Sequence, residues 1–509
     1  MVASISGVSV APWTWLGLSF ILAPAFSNRI QPRTSMLSIS DEIMILAMSD
    51  GKRGGTRLDL MAYEAVPGSE AGVLVIGAGP AGCTAAISLA RLGHDVSMIA
   101  YPRGFEAYEG LAPRVASWLR AAGFAAALRV IPQPVKRRVE WDGSSVDRNA
   151  ESIVRRSDFD RALLEDAEAA GVRILHDQVR RLPRAGLDDS GVVLASGRRL
   201  VARFFVDARG RAAHRAGDSR DGPVTVSIAQ LWQGPARDPG TAVTACADGW
   251  VWLAREENGI CFSQLNCAAD VPGRPGVRGL AAWLRNRLES VPLACEWLDG
   301  CAPAAEPVAR ASTARLNLPL APHGRVLRIG DCAMAVDPLS GSGLFQALSS
   351  AALAPAVINT LLRMPDSAAL ALNFYEDRLR HLFERFARTG RDFYRAETRW
   401  PAAPFWRERA AWPDEEIAHG MRRARAPEVA LRAVVDDGLI RQARVVVTDD
   451  QPLGTWRVAG IEVAPLLDGL QATRETERAG ALDRLLGQAG CNAQNASAVR
   501  RWFAGLQPF

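Results

Sequence analysis

Residues 73–101, VLVIGAGPAGCTAAISLARLGHDVSMIAY, decide how this chain folds. The unbroken apolar run 73–76 suits a strand buried on both faces of a parallel sheet. Gly77, Gly79 and Gly82 follow in the pattern G-x-G-x-x-G, with Pro80 and Ala81 between the last two. Residues 84–92 are rich in alanine and leucine and predict a helix, Gly93 stops it, and 96–99 predicts a second strand. Strand, glycine turn, helix and strand in this order make a dinucleotide-binding unit. Gly77 permits the tight turn, Gly79 lets backbone approach a pyrophosphate, and Gly82 lets the helix pack close to the strand. The first-turn N–H groups and the helix dipole then hold the phosphates. One element departs from the pattern. An acidic residue for the ribose hydroxyls is expected about 20 residues on, yet Ala100 and Tyr101 end the second strand. Adenosine would then rest on backbone and on Arg103 or Tyr101.

Working outward, 509 residues suffice for two or three domains. A hydrophobic content of 48% and a charged content of 23% fit a soluble globular protein. The net charge of +5 is too small for this length to suggest a nucleic-acid partner. Eight cysteines include no C-x-x-C pair and six histidines no H-x-x-x-H. That excludes no single ligand but offers neither a metal site nor a disulfide framework, and a cytoplasmic setting is expected. The apolar stretch 8–26 carries Pro12 and Pro24 and has no lysine or arginine before Arg29. Residues 1–70 are therefore read as a disordered or non-native extension, and no membrane association is expected.

Three spaced segments carry a resemblance. Arg156, Phe159 and Leu163 match R-x-x-(L/F)-x-x-x-L, Asp207 and Gly210 match D-x-x-G, and Gly330-Asp331 opens GDCAMAVDPLSGSGLFQAL. In this order they resemble the flavoprotein monooxygenases related to p-hydroxybenzoate hydroxylase and the flavin halogenases. The resemblance implies an α/β fold: a Rossmann-like FAD-binding domain with an inserted β-sheet substrate domain. It implies FAD contacts at Gly77, Gly79, Pro80, Ala81, Gly82, Arg103, Arg114, Arg156, Val179, Asp207, Gly210, Gly330, Asp331, Pro338, Gly341, Gly343 and Leu344. The third motif also reads physically. Asp331, after an apolar strand at 326–329, can accept hydrogen bonds from ribityl hydroxyls. Asp337-Pro338 and 341–343 make a turn that lets backbone lie against a planar ring. The helix predicted at 344–362 points its N-terminus, worth about half a positive charge, at that ring.

Between these motifs, strands are predicted at 224–232, 242–246, 250–253 and 261–265, a helix at 277–288 and a return strand at 307–312. In the resembling family such a sheet roofs the substrate pocket. Trp250 and Trp252 lie two apart and share a strand face. They are sheet core, sheet surface, or a wall against an aromatic substrate; with Pro338 they are the pocket candidates, and no catalytic residue is identified. Trp250-Val-Trp252 also resembles the W-x-W-x-I-P of flavin halogenases, but Leu253-Ala254 follows. Those enzymes need a pocket-facing lysine. Lys136 is the only lysine in the body of the chain, and a solvated place on an edge strand is expected for it.

Residues 367–391 predict a long amphipathic helix and 400–404 a linker. Beyond it, a helix at 427–436, a hairpin of 442–448 with 456–463, and helices at 465–470, 479–487 and 495–506 would form a small α+β domain. The expected division is 1–70 extension, 71–220 with 313–400 FAD-binding domain, 221–312 substrate sheet, and 401–509 C-terminal domain. EGLAPRVASWLRAAG, VKRRVEWDG, NAESIVRRSDFD and DDQPLGTWRVAGIEVAPLL resemble a narrower group: the monooxygenases that mature quinohemoprotein amine dehydrogenase. That resemblance implies FAD, with NAD(P)H and oxygen as co-substrates. It implies hydroxylation of a tryptophan in a small protein subunit, toward tryptophylquinone, with the subunit's other maturation enzyme as a further partner. Hydroxylation or halogenation of a small aromatic molecule is the alternative, and a non-catalytic FAD scaffold a third reading.

Overall fold

The computed structural model describes residues 46–47, 71–183, 191–322, 324–416, 418, 426–449, 451–474 and 478–506. The expectations for residues 1–70 lie outside these, except that Leu46–Ala47 is a two-residue strand paired with Ala433 and Arg432. The dinucleotide unit forms as strand Ala71–Ile76, helix Pro80–Arg91 and strand Val96–Ala100. The helix starts four residues before the alanine-rich run. Pro80 is tolerated at the first helical position because its missing N–H would have no partner there.

Ala71–Ile76 lies in the middle of a parallel sheet. Val96–Ala100 and then Arg173–His176 flank it on one side, and Arg199–Asp207 on the other. Arg199–Asp207 also takes two partners along its far edge: Gly191–Leu194 antiparallel at its start and Val326–Arg328 parallel at its end. Three remote segments thus present their carboxyl ends side by side. Helices Pro80–Arg91 and Gly343–Arg363 pack together over one face, with buried Ile87, Leu89, Leu348 and Val357 between the layers. Gly343–Arg363 has the length and apolarity of a membrane span, but 83% of that window is buried, so burial in this core accounts for its composition.

A second sheet of nine strands runs beside the first. Its centre is Thr225–Gln233, Ile260–Ala268, Gly249–Arg255 and Gly240–Cys246. It continues through Val135–Trp141, Ser144–Arg155 and Tyr108–Leu111, which the expected division placed with the nucleotide-binding half. Alternation in 135–141 identifies a strand but not its partner, and the partner proves to be Gly240–Cys246, over a hundred residues away. Lys136 accordingly sits on an interior strand, not an edge strand. The two faces of the sheet differ. Val251 and Leu253 pack under helices Leu280–Glu289 and Pro292–Leu298. Trp250, Trp252 and Ala254 face the other way, into a cluster with Tyr108, Phe262, Leu339, Tyr394, Phe405 and Trp406.

Several local expectations are corrected. The presumed linker at 400–404 leads directly into helix Pro404–Ala411, and Trp406 is 1% exposed against the sheet. Residues 427–436 are not helical: Glu428–Asp436 pairs with Leu439–Val447. The turn between them, Asp437-Gly438, has φ of +48° and +69°, the two-residue geometry that hairpins favour. This hairpin replaces the predicted one; beyond it the described residues show a Val446–Thr455 bridge and a short pairing of Arg457–Val458 with Ile461–Glu462. It docks on the nucleotide-binding half, where Asn359 Nδ2 donates to Gly438 O at 2.7 Å and Ile440 N donates to Thr360 Oγ1 at 2.8 Å. The C-terminal helices build a separate cluster around Leu467, Val499 and Trp502.

A Cβ on Gly82 would overlap the carbonyl oxygen of Gly77. Gly82→Ala is expected to destabilise the chain by about 3 kcal/mol, as backbone cannot yield as a side chain does. A denaturant midpoint measured without flavin checks this.

Candidate active site

At the carboxyl edge of the parallel sheet, residues 77–82, 207–210 and 330–331 meet. Ala208 N donates to Ile76 O at 2.8 Å and Ile329 N to Asp207 O at 3.0 Å. The approach is close enough to require glycine twice. A Cβ on Gly77 (φ +108°) would lie 2.6 Å from Ala208 O, and one on Gly330 (φ +56°) 2.5 Å from the Cβ of Ala81. Gly79, Gly210 and Gly343 are different: nothing lies within 4 Å of where their Cβ would be. Gly79 is the N-cap of helix Pro80–Arg91, and no side chain caps that end. Free first-turn N–H groups therefore face open space, which is what a pyrophosphate needs.

Acids and arginines line the same edge. Asp207, buried, accepts from Arg209 Nε and Nη2 at 2.8 Å each. Asp331 forms an ion pair with Arg211 at 3.2 Å, with 30% of its side chain accessible at the floor of the cleft. Burial pushes the Asp331 carboxyl above its usual range, and Arg211 opposes that only in part. Arg211 also donates to Thr313 O at 2.7 Å and Val336 O at 3.0 Å, which ties the strand end after Asp207 to the segment after Asp331. Further along, Arg114 Nη2 donates to Ser342 Oγ at 3.2 Å and its guanidinium lies 4.9 Å from the centre of the Phe345 ring. Arg114 Nε, Thr84 Oγ1 and Gln346 Oε1 are buried with no protein partner among the described residues. Gly341 (φ +57°) turns the chain into helix Gly343–Arg363, whose N-cap, Ser342, makes no side-chain cap. Leu344 is buried behind that turn, and Pro338 is half-buried on it.

Other expected residues fall at the margins. Arg156 is held by Glu109 and by Asp160 at 2.8 Å; burial works against its charge, but these two acids raise its pKa above the ordinary arginine value. Arg103 reaches the same Asp160 at 3.4 Å, while Tyr101 is 61% exposed. Val179 instead packs with Leu175 and Leu182 against the second face of the parallel sheet.

Sequence reading missed a polar layer beneath the sheet. Trp252 Nε1 donates to Glu151 Oε1 at 3.3 Å, and Glu151 pairs with Arg137 at 3.4 Å with both side chains 9% exposed. Trp250 Nε1 donates to the Tyr394 hydroxyl at 3.3 Å, which donates to Asp337 Oδ1 at 3.0 Å. Lys136 points to solvent, and its neighbour Arg137 takes the inward place on that strand. A surface cleft of about 300 Å³ lies away from the glycine cradle, between helices Ala368–Arg395 and Pro404–Ala411.

A Rossmann-like unit whose third strand-end motif joins its glycine turn, with an aromatic sheet face packed on the following turn through Leu339, defines a flavin-dependent oxidoreductase. The tryptophan halogenase family model matches residues 153–437, and the chain belongs to that family. A lycopene cyclase model matches residues 72–230. Among solved structures, the chain is similar to one described as peptidyl tryptophan dihydroxylase QhpG, essential for tryptophylquinone cofactor biogenesis. The two are 42% identical with a TM-score of 0.74, over 87% of this chain and 100% of that one. The flavin-dependent halogenase CmlS is 20% identical with a TM-score of 0.65, over 85% of this chain and 95% of that one, a likeness of fold alone. Tryptophan 2-halogenase of Chondromyces crocatus is 24% identical over 68% of this chain and 71% of that protein.

Two outcomes are expected. Gly79→Ala, placed in open space, should leave the melting temperature of the flavin-free protein unchanged. It should weaken FAD binding by about tenfold or more, the worth of one charge-assisted hydrogen bond. Asp331 costs stability as pH rises through its raised folded pKa, and nothing in acid where folded and unfolded forms are both protonated. Asp331→Asn should therefore raise the melting temperature of the flavin-free protein at neutral pH, with the gain vanishing in acid, while lowering flavin retention.

Proposed function

We propose that this chain binds FAD across the three converging strand ends and hydroxylates a tryptophan side chain carried by a small protein subunit. The hydroxylation would serve biogenesis of the tryptophylquinone cofactor of an amine dehydrogenase. The observation that carries this reading is the 42% identity to QhpG over the full length of that protein, whose description names a peptidyl tryptophan. NAD(P)H is the proposed reductant, oxygen the co-substrate, and the cytoplasm the setting. The subunit's other maturation enzyme is a proposed further partner.

The residues present fit FAD. Gly79 and the uncapped helix behind it take the pyrophosphate, and Gly77 and Gly330 allow the close backbone approach. Asp331 takes ribityl hydroxyls, and Asp207 keeps Arg209 in place. Arg103 and Arg156 stand on the adenosine side. Arg114, with its unpartnered Nε, faces the cofactor beside residues 338–344. Bound flavin supplies reductive activation of oxygen, chemistry no side chain here can perform. The chain shields and orients. The uncapped N-terminus at Gly343 stabilises negative charge beside the ring. Trp250 and Trp252 wall the space above Pro338 and keep water from it. An electron-rich indole would need no base from the chain.

Lys136 bears on the halogenation arm of the alternative. A halogenase needs a lysine in the pocket, and the one lysine among the described residues is exposed. The inward residue, Arg137, is engaged by Glu151. Hydroxylation therefore has the better support.

Mass spectrometry of a candidate subunit, incubated with this protein, FAD, NAD(P)H and oxygen, tests the proposal. Gain of one or two oxygen atoms on a tryptophan peptide is expected. Unchanged peptide alongside turnover of free phenols or indoles would favour the small-molecule alternative.

A further inference from the structure

We propose that Tyr394 is a positioning residue that fixes the spacing between the substrate wall and the ring-bordering turn, by holding Trp250 and Asp337 in one hydrogen-bonded chain. The proposal rests on the flavin reading above and extends it to Tyr394, which lies outside the recognised motifs.

Three elements meet at a single phenol oxygen. Trp250 comes from strand Gly249–Arg255 of the roofing sheet, Asp337 from the turn that borders the cleft, and Tyr394 from the last turn of helix Ala368–Arg395. The hydroxyl gives its one hydrogen to Asp337 Oδ1 at 3.0 Å and accepts the indole N–H of Trp250 at 3.3 Å. Its donor is spent on the turn while the sheet occupies a lone pair. Asp337 Oδ1 also accepts Leu339 N at 2.9 Å, closing the first turn of Pro338–Ser340. Moving the phenol therefore moves the backbone beside Pro338.

The phenol itself is held. Tyr394 is 2% exposed, and its ring meets Phe405 and Trp406 edge-on at 5.8 Å each. Those two residues sit on helix Pro404–Ala411, anchored to the same sheet by Trp406 Nε1 donating to Cys246 O at 3.1 Å. The sheet is thus tied to Tyr394 twice, by the Trp250 hydrogen bond and by Trp406 through packing. Burial raises the Asp337 carboxyl above its usual range, and the hydrogen bonds from Leu339 N and Tyr394 act against that shift. The Tyr394 phenol is pushed well up by burial and by Asp337, so it stays a donor. Substrate and ring must meet within a narrow range, since a displacement of about 1 Å can cost on the order of a hundredfold in rate. A wall and turn tied through one oxygen meet that requirement.

The test compares Tyr394→Phe, Asp337→Ala, Trp250→Phe and Asp337→Asn in the flavin-loaded full chain. One readout is the visible circular dichroism of bound flavin, which needs no substrate or turnover. The other is the fraction of NAD(P)H consumed that ends as hydrogen peroxide. Tyr394→Phe and Asp337→Ala are expected to keep flavin content, shift the flavin dichroism, and make peroxide the main product. Trp250→Phe, which cuts the chain at its other end, should shift the dichroism in the same direction even where Tyr394→Phe fails to accumulate. Asp337→Asn, whose amide oxygen can accept both bonds, should rescue the wild-type spectrum and coupling. An unchanged spectrum in Tyr394→Phe or Trp250→Phe overturns the proposal. So does an Asp337→Asn protein as impaired as Asp337→Ala, which would assign the effect to charge. Failure of the protein-tryptophan reading would appear as unmodified subunit with these spectral shifts intact.

Discussion

Close approach of backbone at the carboxyl edge of one parallel sheet is the constraint on which the rest depends. Residues 77, 208 and 330 come from strands separated by more than a hundred residues each, yet side-chain carbon on Gly77 or Gly330 would strike its neighbour. That closeness brings a helix N-terminus, an acid at Asp331 and the turn at 337–341 to one cleft. It also leaves Gly79, Gly210 and Gly343 fronting unfilled space. A protein that needed only to fold would fill such space with side chains. An open cradle beside uncapped N–H groups and a partly accessible carboxyl is suited to a ligand.

The second sheet divides its labour by face. One face is ordinary core, packed under two helices. The other packs its tryptophan, tyrosine and phenylalanine against Leu339, Tyr394, Phe405 and Trp406, and its polar groups are engaged: Arg137 with Glu151, Glu151 with Trp252, Tyr394 with Trp250 and Asp337. Buried polar groups of this kind specify a geometry more than they stabilise a fold, because each is costly unless paired. Lys136 and Arg137 are adjacent, and strand alternation alone decides which of them looks inward.

Much of this was legible in sequence because it is local. Glycine spacing, an apolar strand and an alanine-rich helix are contiguous, and the two later motifs carry their acid and glycine within a few residues of each other. What was illegible is non-local or depends on a partner. Strand 135–141 alternates as a strand should, but nothing in it names Gly240–Cys246 as its neighbour. Tyr394 lies 57 residues beyond Asp337 and past the predicted end of its helix, so no spacing rule links them. Arg211 stood in plain view after Asp207-Ala-Arg-Gly210, yet its value comes from reaching Asp331 and Val336 across the cleft. The hairpin at 428–447 was readable from Asp437-Gly438, and a weak helical period in the flanking valines and alanines concealed it.

A crystal structure of the chain with FAD bound tests the central claim most directly. Density for the pyrophosphate over Gly79, the ribityl chain beside Asp331, and the ring between residues 336–343 and the face carrying Trp250 and Trp252 is the predicted result. Density for the ring elsewhere, or a cleft closed by side chains with FAD absent at saturating concentration, would contradict the account.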